Sequence, residues 1–243
     1  MPLESPFDSD LEWRRAAFTL HTLATNPSSV RYEIWKILGE AFQLAPSAGS
    51  ICRLFERLRR NDLIMVRKFG LMRKVEFALV RLTPKGVDFC ESIGIAVTPS
   101  DWEVADLRLA AEPADTRALI LEMGYQARLR GFSFEVAPAG GPFCHAALFL
   151  NGRRIFINFC VSANVPGIYL EAWKAQGFAA VCGLSSSTNA VLKAVIMPHV
   201  SQGFTTDLYS LVNATRKSLF EFFWLTSWGW ESGDIPLLNK EQA

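Results

Sequence analysis

Residues 50–86 constrain the fold of this chain more than any other stretch. They hold ten Arg or Lys against three acids (Glu56, Asp62 and Glu76), a net charge of +7. The whole chain carries only +1, so the other 206 residues sum to −6. The charge is also ordered. A helical segment with an apolar stripe at Ile51, Leu54, Phe55 and Leu58 comes first, at the i, i+3, i+4, i+7 spacing of one buried face. A basic turn, V-R-K-F-G-L-M-R-K-V, follows between two strand-like runs, Ile64–Lys68 and Lys74–Leu82, around Gly70. The segment closes on L-T-P-K-G, which opens a further helix over Pro84–Ile93.

Two more helices precede this unit. Trp13, Ala17, Leu20 and Ala24 repeat at helical spacing over 10–26, with Asp10 as the expected N-cap. Val30, Ile34, Ile37, Leu38 and Ala41 do so over 30–43, with Ser29 as the expected cap. Ser47 or Ser50 is the expected cap of the third helix. With its stripe facing inward, Ser50, Arg53, Arg57 and Arg60 project outward. Arg67, Lys68, Arg73 and Lys74 flank the tip of the hairpin. Clustered basic charge on a helix and hairpin is the footprint of phosphate-backbone binding. The plain alternative is a solvated basic face that binds protein.

Three helices, a hairpin and a trailing helix resemble winged-helix regulators. The resemblance rests on Leu54, Leu58, Leu63-Ile64, Arg67-Lys68 and Val80–Gly86, which match an L-x-x-G-L-I helix exit and an L-T-x-x-G end to the wing. Asn61-Asp62 stands where the glycine often sits. The resemblance implies a third helix that reads the major groove, with Ser47, Ser50, Arg53, Arg57, Arg60, Arg67, Lys68, Arg73 and Lys74 as the DNA-facing set.

The rest of the chain has a different grammar. A linker is expected over 96–114, between a winged-helix domain at 1–95 and a second domain at 115–243. The second domain reads as a helix over Asp115–Gly131 and a strand over Phe132–Val136. A hairpin, Ala146–Leu150 and Ile155–Val161, turns at Asn151-Gly152. A helix over Ile168–Gln176 and a buried strand over Ala179–Leu184 come next. S-S-S-T-N reads as a polar loop, Val191–Met197 as a strand or helix edge, and Asp207–Trp224 as a helix. The expected class is α+β or α/β with a mixed sheet. The aromatic tail, with Phe220, Phe222, Phe223, Trp224, Trp228 and Trp230, reads as core or dimer contact rather than a base-stacking platform.

The order helix, strand, hairpin, helix, strand resembles the PD-(D/E)xK nucleases, an α/β restriction-endonuclease-like fold. That chemistry needs two carboxylates on a divalent metal and a lysine beside the attacking water. The resemblance sets the metal aspartate at or beside His145, the glutamate on Asn158 and the lysine on Cys160. All three positions have lost their charge. The expectation is therefore a pseudo-nuclease domain, with no catalytic residues, metal or cofactor, that serves binding or dimerisation. An active but divergent nuclease would have to use Glu122, Glu135 and His145. Those two glutamates read more simply as a helix face and a strand end.

The two halves together resemble the replication-relaxation family of plasmids and other mobile elements. This implies a sequence-specific double-stranded DNA-binding regulator of transcription or replication, homodimeric and cytoplasmic. A protein–protein adaptor is the third reading. Cys52, Cys90, Cys144, Cys160 and Cys182 lie apart in apolar contexts with no C-x-x-C pair, as small buried hydrophobes do. His21, His145 and His199 show no metal-ligand spacing. The acidic, polar start does not read as a signal peptide, and no apolar run reaches the roughly 20 residues of a membrane span.

Overall fold

In a computed structural model of the chain, the backbone is described for residues 9–45, 48–72, 75–140, 143–150, 153–162, 164–200, 203–208, 221–226 and 229–234. It divides into two units, Met1–Val104 and Ala105–Ala243. No helix among the described residues is long and apolar enough to cross a membrane. The fold is mixed α and β, with a two-stranded sheet and a seven-stranded sheet.

The first unit is built around three helices. Helix α1 (Asp10–Thr25) is capped by Ser9, whose hydroxyl accepts from Glu12 N at 3.2 Å, one residue earlier than the expected Asp10. Helix α2 (Arg31–Phe42) starts at Val30 without a side-chain cap. Ser29 serves elsewhere: its hydroxyl accepts from Trp102 N at 3.1 Å and its carbonyl from Val80 N at 2.7 Å. Helix α3 (Gly49–Arg60) starts at Ala48, so Ser50 lies inside the helix and does not cap it. Ser47 lies outside the described residues.

The turn out of α3 explains the local sequence. Asp62 sits in the left-handed region at φ 58°. Asp62 N donates to Arg59 O at 3.0 Å, and Leu63 N reaches back to Leu58 O at 3.0 Å. These two bonds form a Schellman closure, normally built on glycine, and Asp is among the few residues that tolerate this backbone. Leu63 then enters the core, and β1 (Ile64–Met72) pairs antiparallel with β2 (Val75–Leu82). A bridge from Val30 to Leu79 ties the segment before α2 to β2.

Helix α4 (Pro84–Ser92) is capped by Thr83, whose hydroxyl accepts from Gly86 N at 3.0 Å and also donates to Asp62 O. A Cβ added at Gly86 would lie 2.0 Å from Leu63 O. The L-T-x-x-G end is therefore a backbone lock between the α3 exit and the α4 entry. The core of the unit joins Leu20, Ile34, Leu38, Ile51, Leu54, Phe55, Leu58, Leu63, Ile64, Val80 and Leu82.

The expected linker at 96–114 is not a free segment. Thr98 N donates to Ala24 O at 2.8 Å, Asp101 N to Pro27 O at 2.8 Å, and Trp102 is buried under the Arg81 guanidinium at 4.7 Å. It also forms α5 (Asp101–Arg108), opened by a capping box in which Glu103 accepts from Ser100 N at 2.8 Å.

The second unit is a sheet in the order β3-β4-β5-β6-β7-β8-β9. After α6 (Ala114–Leu129), β3 (Ser133–Val136), β4 (Ala146–Leu150) and β5 (Arg153–Cys160) run antiparallel. Helices α7 (Gly167–Gln176) and α8 (Ser186–Ile196) then carry the chain through parallel strands β6 (Ala179–Gly183) and β7 (Gly203–Asp207). Strands β8 (Glu221–Thr226) and β9 (Gly229–Asp234) complete the sheet antiparallel.

One expectation fails here, and another is corrected at its two ends. S-S-S-T-N is not a loop: Ser185 accepts from Thr188 N at 3.2 Å and starts α8, which also takes in Val191–Ile196. The expected helix over Asp207–Trp224 ends in strand on both sides, at β7 and β8. At these two ends sheet pairing overrode a helix-like local pattern. Residues 209–220, with Phe220, lie outside the described residues, as do 227–228, with Trp228.

Candidate functional site

The structure presents two concentrations of polar chemistry, one in each unit. In the first, the stripe Ile51, Leu54, Phe55 and Leu58 is buried as the spacing requires, which turns the opposite face of α3 to solvent. Arg53 and Arg60 are exposed, and neither forms a hydrogen bond or ion pair among the described residues. Ser50 is half-buried. Arg57 lies at the flank of the face, where its Nη1 reaches Glu12 Oε2 of α1 at 2.5 Å. Arg59 pairs with Glu56 at 2.9 Å.

On the hairpin Arg67 and Lys68 are exposed, and the Arg67 guanidinium lies 4.8 Å from the Phe69 ring centre. Consecutive strand residues point to opposite faces, so these two charges are directed to different sides. Arg73 and Lys74 lie outside the described residues.

The second concentration is buried. His145 has no exposed surface. Its Nδ1 accepts from Phe159 N at 2.8 Å, which places the ring proton on Nε2. Nε2 lies 3.0 Å from Tyr169 Oη and 3.3 Å from Glu112 Oε1. Tyr169 in turn donates toward the Glu112 carboxylate at 3.3 and 3.4 Å. The hydrogen bond from His145 holds the Glu112 carboxyl below its usual range, against the opposing effect of burial. Burial, with the charge of Glu112, raises the Tyr169 phenol above its ordinary value.

Asn158 is fully buried beside this relay. Its Oδ1 accepts from Trp173 Nε1 at 2.8 Å, and its Nδ2 donates to Phe143 O at 3.3 Å. Phe143 stacks on Tyr169 with ring centres 5.6 Å apart. Cys160, two residues on along the same face of β5, packs with Tyr169 and Trp173. Burial pushes its thiol up to about 12. His145, Asn158 and Cys160 thus converge on α7.

The other carboxylates have separate partners. Glu122, buried on α6, accepts from Gln126 Nε2 at 2.8 Å. Glu135 meets Arg154 at 2.6 Å. Among the described residues no group of three or more His, Cys, Asp or Glu could hold a metal ion.

Sequence reasoning missed Glu112, Tyr169 and Trp173 in this cluster, and Glu12 and Arg15 of α1 beside α3. Glu112 fell in the expected linker, and the others read as ordinary helix residues. No family model, curated protein or solved structure matches this chain.

Proposed function

We propose that the chain is a double-stranded DNA-binding regulator of transcription or replication. Its first unit acts as a winged helix. Its second acts as a nuclease-like fold without catalysis. The observation that carries the reading is the solvent face of α3, where Arg53 and Arg60 stand exposed and make no ion pair among the described residues, next to a hairpin bearing Arg67 and Lys68. Arginine is the preferred donor to guanine edges and to phosphates.

The nuclease-like reading is supported by the run α6-β3-β4-β5-α7-β6, which follows the order of the resemblance. The loss of chemistry is supported by what occupies the three aligned positions. His145 and Asn158 are spent on internal hydrogen bonds, and burial keeps the Cys160 thiol protonated at neutral pH. A domain of this kind serves best as a homodimer half, which suits a twofold DNA site in a cytoplasmic regulator of a mobile element.

Fluorescence anisotropy on random and selected duplexes tests the reading. Arg53→Ala should weaken specific binding by about 1–3 kcal/mol while folding survives. Neutralising Arg67, Lys68, Arg73 and Lys74 together should lower affinity on all sequences and flatten the salt dependence by about 0.9 per lost phosphate contact. Unchanged affinity in both variants sinks the interface. Supercoiled plasmid should stay intact with magnesium or manganese. Nicking that Glu122→Ala or Glu135→Ala abolishes would instead establish the enzyme reading. A wild-type protein that binds no duplex but captures a protein partner through α3 would establish the adaptor.

A further inference from the structure

Helices α1 and α3 enclose a cavity of about 170 Å³ lined by Glu12, Arg15, Ser50, Arg53, Leu54 and Arg57. That is room for several water-sized groups. Three arginines and one glutamate share it, a local excess of two positive charges. The Arg15 guanidinium lies 5.6 Å from the Phe42 ring centre. Its Nε is buried and has no hydrogen-bond partner among the described residues. Arg53 likewise makes no hydrogen bond or ion pair there. Glu12 Oε2 sits 2.5 Å from Arg57 Nη1, and Ser50 adds a hydroxyl to the lining.

A buried N–H without an acceptor is costly, and a guanidinium presents donors in a planar fork that matches tetrahedral oxyanions. A carboxylate satisfies one of the three forks, and the other two are left for an anion. We infer that this cavity is a phosphate-binding site, held by Arg15 and Arg53 with Arg57 as third donor. Glu12 stands in for the phosphate on Arg57 until one arrives. This deepens the proposed DNA-binding reading and rests on it for the source of the phosphate. Arg53 and Arg57 then contact backbone rather than bases, so Arg53→Ala weakens binding on all sequences, and α1 joins the interface through Arg15. The chemistry suits a phosphodiester of a duplex or a free phosphate, and two arms of one experiment separate them.

The full chain is titrated with a random-sequence duplex at several salt concentrations by anisotropy, and with pyrophosphate by calorimetry. Arg15→Gln, Arg15→Lys and Glu12→Gln are compared with wild type after thermal melts confirm folding. For a duplex phosphate, Arg15→Gln should weaken binding about fivefold to tenfold and lower the salt slope by about 0.9. Arg15→Lys should keep the slope and lose part of the affinity. Glu12→Gln should tighten binding, because a competing carboxylate is gone. Weaker binding in Glu12→Gln would overturn the stand-in role.

For a free phosphate, pyrophosphate binding should disappear in Arg15→Gln even if wild type binds no duplex. The cavity assignment then holds and the DNA reading fails. If duplex binding is intact in Arg15→Gln, with unchanged slope, and pyrophosphate does not bind, the phosphate site is overturned and the DNA reading stands. If neither ligand binds wild type, both fall.

Discussion

The two units place their polar chemistry in opposite ways. In the first, the core is apolar and the arginines stand outside it, at α3 and the hairpin. In the second, a histidine, a tyrosine, an asparagine and a tryptophan sit inside the core and satisfy one another. A buried donor that finds its acceptor within the protein has its hydrogen bonds used up by folding. An exposed guanidinium loses nothing by waiting in water and remains available to a ligand. The contrast therefore separates a surface suited to a partner from a cluster committed to stability.

The strongest challenge to that contrast is His145→Ala. It orphans the Phe159 N–H, removes one of the two partners of Tyr169 and leaves a cavity, and should cost about 4 kcal/mol in urea denaturation. A loss under about 1 kcal/mol, with DNA binding abolished, would move the cluster from stability to function. Gly86→Ala should cost the first unit about 3 kcal/mol, because the new methyl would collide with Leu63 O. Circular dichroism melts would show it. A neutral result would mean that the lock between the α3 exit and α4 can open cheaply.

Glu112 sharpens the comparison through pH. Its folded carboxyl is held below the usual range, chiefly by the His145 hydrogen bond. The stability it contributes is present above the unfolded carboxylate range, about pH 4.3, and is lost as pH falls through the folded value. Glu112→Gln should therefore flatten the acid side of a melting-temperature profile measured from pH 3 to 7. An unchanged acid limb would remove Glu112 from the relay. The smallest stability effect belongs to Arg53→Ala, within about 0.5 kcal/mol of wild type, since its side chain is exposed and makes no pair among the described residues. Thiol labelling separates inside from outside in the same spirit. Half-exposed Cys52 should react in the native protein, while buried Cys90, Cys144, Cys160 and Cys182 should wait for unfolding.

Short-range signals were legible where one face of one element decided the outcome. The α3 stripe and the strands of the basic and 146–160 hairpins follow from period within a dozen residues, but Gly70, expected at the first turn, lies inside β1 opposite Glu76, and Asn151-Gly152, expected at the second, lies outside the described residues. The Ser100–Glu103 capping box was equally legible and was overlooked in a stretch taken for linker. The Ser-rich start of α8 misled because Ser and Thr serve loops and helix caps alike, and only the chain that follows distinguishes them. Asp207 and Trp224 look helical in isolation but lie in paired strands.

The sequence by itself determined the charge order of residues 50–86, the buried face of α3 and the absence of charge at His145, Asn158 and Cys160. Tertiary structure alone decided what those residues touch. Glu112, His145 and Tyr169 meet across 57 residues of chain, from Glu112 to Tyr169. Arg57 finds Glu12 across 45. Contacts of that separation depend on how helices and strands pack after each has formed, and no local periodicity encodes them. A side chain's chemistry is written in its letter, but its availability depends on whether folding has already given it a partner.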